Sequence, residues 1–302
     1  MNLQQLRQLV ALAETLNFRR AAEQLHMAQP PLSISLAKLE AEFGVRLFAR
    51  DRRKVTLTAA GAAALPHATQ ALFHIEQVKA AVRESILGST GRLRLGFVGS
   101  ATYSLLPKLL NGFREEYPNI DLSLEESYTK ALLQKLSDRK IDAAILRTPV
   151  LGDLDAELHV LEHDSFWAVV KSPGLYDDRS SIDISELRDV PLITHPESVV
   201  PNMRAVMMLI CHEAGFQPNV VQEAIQAQTM ISLVQSGMGV ALVAGVTRHY
   251  SATNIKFLRI KGSEQSNRIG LALALPRDQR SRVTEKFLEF ALRQMPSDTT
   301  PA

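Results

Sequence analysis

Residues 18–61 read FRRAAEQLHMAQPPLSISLAKLEAEFGVRLFARDRRKVTLTAAG, and their pattern decides the fold. Phe18 precedes a short Ala-rich helix, Arg19 to Leu25. His26-Met27-Ala28-Gln29 has no helical period, and Pro30-Pro31 suits the opening turn of a new helix, where a missing N–H costs nothing. That helix runs through LSISLAKLEAEF, with Leu32, Leu36, Leu39 and Phe43 on one stripe, so Ser33, Ser35 and Lys38 face away from the core. Next, LFARDRRKVTLT sets Arg50, Arg52, Arg53 and Lys54 at a turn between two short extended segments.

A short helix, a tight turn and a second helix that starts small and polar on its outer face suit a DNA major groove. Bulky apolar side chains there would neither pack nor hydrogen-bond to base edges. The basic turn reads as a wing whose cations lie on phosphates. A three-helix bundle with a solvated basic loop fits the same periodicity. Charge favours the first reading: residues 1–61 hold nine Lys or Arg against five Asp or Glu, while the whole chain is only +2.

Working outward, Leu3, Leu6, Val10, Ala13 and Leu16 mark the inner face of a first helix. Thr58 is a good N-cap for a long helix to about Leu87, which carries Leu72, Ile75, Val78, Val82 and Ile86 at spacings of three or four. An apolar stripe on a lone helix calls for a partner, either a second copy of the helix or its own domain. From Gly91 strands and helices alternate. A strand spans Leu93 to Val98 and is followed by a helix near Tyr103 to Tyr117, a strand near Ile120 to Leu124, a helix near Lys130 to Leu136 and a strand from Ile141 to Leu146. Later come a helix near Asn202 to Ala214, a strand near Val220, a helix near Ile225 to Gln235, and the turn Gly237-Met238-Gly239 before a strand from Val240 to Val243. Such alternation implies parallel sheets with crossover helices, and in open α/β sheets ligands sit where strands end and helices begin. Three such starts are polar: Gly99-Ser100-Ala101-Thr102, Ser127-Tyr128-Thr129 and Pro201-Asn202. Free N–H groups there suit a carboxylate, as does Arg147 at the end of its strand. Ordinary capping by Ser100 and Thr129, and a structural ion pair for Arg147, are the alternatives.

With 46% apolar and 22% charged residues, the chain has the composition of a globular protein with a sizeable core. No apolar run is long enough to span a membrane and no signal peptide is evident, so a cytoplasmic protein without a membrane partner is expected. Cys211 is the only cysteine, which leaves no disulfide framework and no Cys-based zinc site, and suggests a buried structural thiol. Enzyme motifs fail. GFVGS lacks the third glycine of a dinucleotide fingerprint, and in SGMGVALVAG the glycine after Gly239 is Gly245, too far along. There is no nucleophile elbow, Walker A loop or H-E-x-x-H, and His159 and His163 fall in an expected strand, where their spacing has no metal-binding geometry. No catalytic residue, metal or cofactor is expected.

The 18–61 run resembles the N-terminal domain of LysR-type transcriptional regulators, in which an Ala-Ala pair, a Gln-Pro pair, a Ser, a Leu-Glu pair, a Leu-Phe-x-Arg segment and a closing Leu-Thr-x-x-Gly recur at these spacings. The resemblance implies an N-terminal all-α winged helix-turn-helix (1–58), a long linker and dimerisation helix (59–90) and a C-terminal α/β two-lobed periplasmic-binding-protein-like effector domain (91–302) with two chain crossings between lobes. It places Gln29, Pro30, Pro31, Ser33 and Ile34 where the recognition helix meets the major groove, and Arg53 on phosphate or minor groove. Ile34 stands where the family often has Arg, so a guanine contact is replaced by at most a thymine methyl contact. Ala28 stands where Ser is common, costing the helix a cap. GFVGSATY, SYTKALLQKLSDRKIDAAILR and HPESVVPN are similar to the branch that senses aromatic acids and their ring-cleavage products. There Ser100, Thr102, Thr129, Arg147, Pro201 and Asn202 would line the effector cleft. LVA at 242–244 and Met203 depart from that branch. The implied partners are double-stranded promoter DNA, a small carboxylate effector, further copies of the chain as homodimer or homotetramer, and RNA polymerase. A DNA-binding protein without an effector, and an enzyme domain fused to a DNA reader, are the competing classes.

Overall fold

A computed structural model describes residues 1–51, 54–87, 90–152, 155–249, 252–278 and 280–294. The chain forms two compact units, Met1–Gly88 and Ser89–Ala302.

In the first unit, α1 (Leu3–Thr15), α2 (Phe18–Gln24) and α3 (Gln29–Phe43) pack around Leu9, Leu12, Leu32, Leu36 and Leu39, all essentially inaccessible. Asn2 caps α1, its side chain accepting from Gln5 N, and Asn17 caps α2, accepting from Arg19 N and Arg20 N. The α3 N-cap, Ala28, makes no side-chain bond, and proline follows in the first turn, as the sequence predicts. Two expectations are corrected. The centre of α1's buried face is Leu9 and Leu12, because α1 packs on α2, α3 and a later helix at once; Leu16 is exposed as a left-handed cap at φ 48°. The α3 stripe ends at Leu39 and Glu40, leaving Phe43 exposed at 44% beside the chain reversal at Gly44.

An antiparallel hairpin, β1 (Phe48–Asp51) and β2 (Lys54–Leu57), follows in register Phe48 to Leu57 through Asp51 to Lys54, which is the expected wing. Arg53 lies outside the described residues. Glu40 anchors this hairpin to α3, its buried Oε1 accepting from Leu47 N at 2.9 Å and Phe48 N at 3.1 Å. Then α4 (Ala59–Leu87) begins with Thr58 as its cap, accepting from Gly61 N at 3.0 Å and donating to Arg46 O at 2.7 Å. A Cβ at Gly61 would sit 2.1 Å from the Leu47 carbonyl oxygen, so only glycine lets the helix start this close to the wing. Farther along α4, Val78 and Val82 of the expected stripe are exposed.

The second unit has two lobes. Its remaining elements run β3 (Gly91–Phe97), α5 (Leu105–Glu116), β4 (Ile120–Glu126), α6 (Thr129–Ser137), β5 (Ala143–Thr148), β6 (Glu157–Asp164), β7 (Phe166–Lys171), β8 (Ser181–Asp183), β9 (Pro191–Thr194), α7 (Pro201–Glu213), β10 (Asn219–Glu223), α8 (Ala227–Gln235), β11 (Val240–Ala244), β12 (Ile255–Lys261), β13 (Ile269–Leu275) and α9 (Arg282–Gln294). One lobe holds the sheet β4-β3-β5-β13-β6, the other β10-β9-β11-β7-β12-β8. Parallel sheets are expected from the alternation, but both are mixed. β13 is antiparallel to β5 and β6, and β7 to β11 and β12, because these strands adjoin the places where the chain leaves one lobe and returns. The two crossings, Asp164–Phe166 and the segment between β12 and β13, are joined by Asn267. Its Oδ1 accepts from Phe166 N at 2.6 Å and its Nδ2 donates to Phe166 O at 3.1 Å. Phe113, Phe287 and Phe290 stack edge-to-face in the core of the first lobe, and Cys211 is buried in the second, where loss of solvent pushes its thiol up to about 12.

Candidate functional site

On the first unit, α3 presents Gln29, Pro30, Pro31 and Ile34 exposed and Ser33 half-buried, on the side away from Leu32, Leu36 and Leu39. Ile34 is 58% exposed, an apolar side chain beside the two prolines. The early turns of α3 therefore offer a small, uncharged surface beside a two-stranded wing, the arrangement that base-edge and backbone contacts require.

In the second unit, a cavity of about 390 Å³ opens where strands of both lobes end. Val98 just after β3, the 3-10 turn Gly99–Tyr103, the end of β4 and the start of α6 line one wall, and His195, Val200, Met203, Ile225, Ala227, Ala244 and Thr247 line the other. Arg147 lies at its base, 4% exposed. Its Nε donates to Ser100 Oγ at 2.9 Å, its Nη1 to Asp164 Oδ2 at 3.1 Å, and its backbone N–H to Thr129 Oγ1 at 3.3 Å. Nη2 is buried without a partner. Burial pushes the guanidinium below its ordinary value, opposed by Asp164 and Glu162. Asp164 also accepts from Val246 N of the opposite lobe at 3.3 Å and from Ser165 N at 2.8 Å, so Arg147 bears directly on the crossing.

Ser100, Thr129 and Arg147 thus come together, the two hydroxyls fixing the arginine rather than capping helices. Neither Val98 nor Tyr128, the N-cap residues of those turns, makes a side-chain cap bond. Thr102 is not brought to this cavity. It is exposed and its hydroxyl donates to Gly99 O at 2.7 Å. Pro201 and Asn202 lie on an adjoining cavity of about 410 Å³ that shares Thr129. Asn202 is buried, donating to the carbonyls of Arg147 and Pro149 at 3.1 Å each, which fastens α7 to the end of β5. A further link joins the lobes at the cavity mouth, where Gln226 Nε2 donates to Glu126 Oε1 at 3.2 Å. Sequence reasoning passed over His195, Tyr103, Gln226 and Thr247, which sit in loops and short turns without periodicity. The segment HPESVVPN held a signal for His195: a histidine directly after a strand, six residues before the helix at Pro201.

No group of acidic, cysteine or histidine side chains among the described residues is arranged to hold a metal, and no helix among them is long and apolar enough to cross a membrane. The family model for the bacterial regulatory helix-turn-helix protein, lysR family, matches residues 3–62, and that for the LysR substrate binding domain matches residues 88–296. The HTH-type transcriptional regulator AlsR of Bacillus subtilis is 38% identical over 80% of this chain and 80% of its own length. The Hca operon transcriptional activator HcaR of Escherichia coli is 32% identical over 99% of this chain and all of its own. Among solved structures, full-length CbnR complexed with its target DNA superposes with a TM-score of 0.73 at 24% identity, over 97% of this chain and all of that one. The two family models together match nearly the whole chain, and the chain belongs to the LysR family of DNA-binding transcriptional regulators with an effector-binding domain.

Proposed function

We propose that the protein regulates transcription in response to a small acid held between the lobes, with an aromatic acid as the leading class. The observation that carries this reading is the buried Arg147, which keeps one guanidinium nitrogen unpaired at the base of a cavity with largely apolar walls. The uncapped first turn of α6 adds N–H groups on the same side. Ser100 and Thr129 set the arginine, Pro201 and Asn202 act through the adjoining wall, and Thr102 contributes only through its turn. Because Arg147 is bonded to Asp164 at the crossing, an anion on Nη2 alters the balance of charge where the lobes meet. Such a ligand acts only as far as its affinity differs between the two lobe arrangements.

On the reader, Gln29, Pro30, Pro31, Ser33 and Ile34 contact the major groove and Arg53 the backbone. The reader, linker and sensor span 1–58, 59–90 and 91–302, and α4 pairs through Val78 and Val82 with a second copy in a dimer or tetramer. The protein works in the cytoplasm without catalysis, and RNA polymerase is a partner at the promoter. Footprinting on the promoter next to its own gene, with and without aromatic acids and muconate-like diacids, tests the reading. A protected site that shortens or shifts with one compound is expected; specific protection that no compound alters removes the acid effector.

A further inference from the structure

Two residues that line the interlobe cavity each carry a buried nitrogen without a partner, Arg147 Nη2 and His195 Nδ1. Both residues are more than nine-tenths buried, at 4% and 8% exposure. They ask for opposite chemistry. A guanidinium nitrogen only donates. His195, directly after β9, turns its other edge to the backbone of Ala224 and Ile225, whose carbonyls draw the ring proton. Since Nδ1 is the unpartnered atom, the proton belongs on Nε2 and Nδ1 keeps a bare lone pair beside the cavity that the residue lines. Burial lowers the ring's pKa to about 4, with the Arg147 charge acting in the same direction, so the imidazole is neutral at physiological pH.

Thr247 Oγ1 spends its proton on Ala244 O at 2.6 Å, Ser100 and Thr129 accept from Arg147, and Glu126 is exposed at the mouth and holds Gln226. A simple carboxylate has acceptors alone, so it satisfies Arg147 and leaves His195 bare, and a buried acceptor left bare carries its full desolvation cost. Resting on the acid-responsive reading above, we propose that the effector is a hydroxy acid, its carboxylate on Arg147 and its hydroxyl donating to His195 Nδ1. The cavity holds the volume of roughly a dozen waters at about 30 Å³ each, room for one substituted ring or a short branched chain between the two anchors. His195 is then the residue that selects among acids of similar size. A site built to pair with a substrate hydroxyl discriminates against the analogue that lacks it more sharply than an apolar wall can.

Calorimetric titration of the full-length protein tests this with matched probes: benzoate against salicylate and its meta and para isomers, and propionate against lactate. At least one hydroxy acid is expected to bind about fivefold or more tighter than its parent, the ratio one neutral hydrogen bond supports. In His195→Phe that ratio falls to about one. His195→Asn keeps an acceptor oxygen and part of the preference, and serves if the Phe variant does not fold. A wild-type protein that binds hydroxy and parent acids equally, or a preference that survives in His195→Phe, overturns the inference and leaves the acid reading intact. Failure of every acid of both kinds to bind overturns both.

Discussion

Acidification should destabilise the sensor through His195, by an amount the structure sets. In the folded protein burial holds this ring's pKa at about 4, whereas in the unfolded chain it titrates near 6.5. Above 6.5 both forms are neutral and the residue contributes no pH dependence. Between 6.5 and 4 the unfolded chain binds a proton that the folded protein refuses, so stability falls as pH drops; below 4 both are protonated and the loss levels off. The full gap is worth about 3 kcal/mol, and from pH 7 to pH 4.5 about 2 kcal/mol is lost. Trp167, the only tryptophan, lies on β7, so its fluorescence follows the second unit alone. With a urea slope near 2 kcal/mol per molar, the wild-type midpoint should fall about 1 M more than that of His195→Phe over the same pH step. The comparison cancels the other histidines and the carboxylates. Parallel curves for the two proteins would show that the ring is not held neutral by the fold and would refute the argument.

Three further outcomes follow from the geometry. Glu40→Leu strands the N–H groups of Leu47 and Phe48, at about 1–3 kcal/mol each, whereas Glu40→Gln keeps an acceptor oxygen; calorimetry should rank their melting temperatures accordingly. Gln29→Ala or Ser33→Ala should weaken specific DNA binding far more than non-specific binding, while Arg53→Ala lowers both and reduces the salt slope; equal losses for Gln29→Ala would rule out base readout. Arg147→Met leaves the half-buried Asp164 without its cation, a loss of about 3 kcal/mol, and Arg147→Met with Asp164→Asn should recover much of that stability without recovering acid binding.

Much of the reader was legible because its signals are local. Pro30-Pro31 marks a helix start in any context, the spacing of Leu32, Leu36 and Leu39 states its period, and Thr58 caps with its own side chain. The Leu-Glu pair and closing glycine of the family pattern are explained only in three dimensions. Glu40 is an acceptor for the wing, and Gly61 makes room for the Leu47 carbonyl. The sensor was legible in its first half and thinly thereafter. β13, Ile269–Leu275, is buried at every position, so it has no alternation to distinguish a strand from a buried helix. Its antiparallel pairing with β5 joins residues more than a hundred positions apart, which no local pattern encodes. Of the expected cleft residues, Ser100, Thr129 and Arg147 share one cavity. Thr102 and Asn202 have the right chemistry, but their polar groups are spent on the protein's own carbonyls. His195 had no partner in sequence to give it away, since its meaning comes from what it lacks.

The amide of Asn267 has a mechanical consequence. By clasping both the N–H and the C=O of Phe166, it makes the two passages between lobes a single strap in place of two independent cords. Two cords would let the lobes shear past one another, but a strap joined at its middle leaves bending and twist about one short axis as the soft motions. Asp164 sits two residues from that clasp and takes the charge of Arg147. Whatever changes at the floor of the cavity is therefore applied close to the axis, where a small displacement is levered into a large swing at the far ends of the lobes.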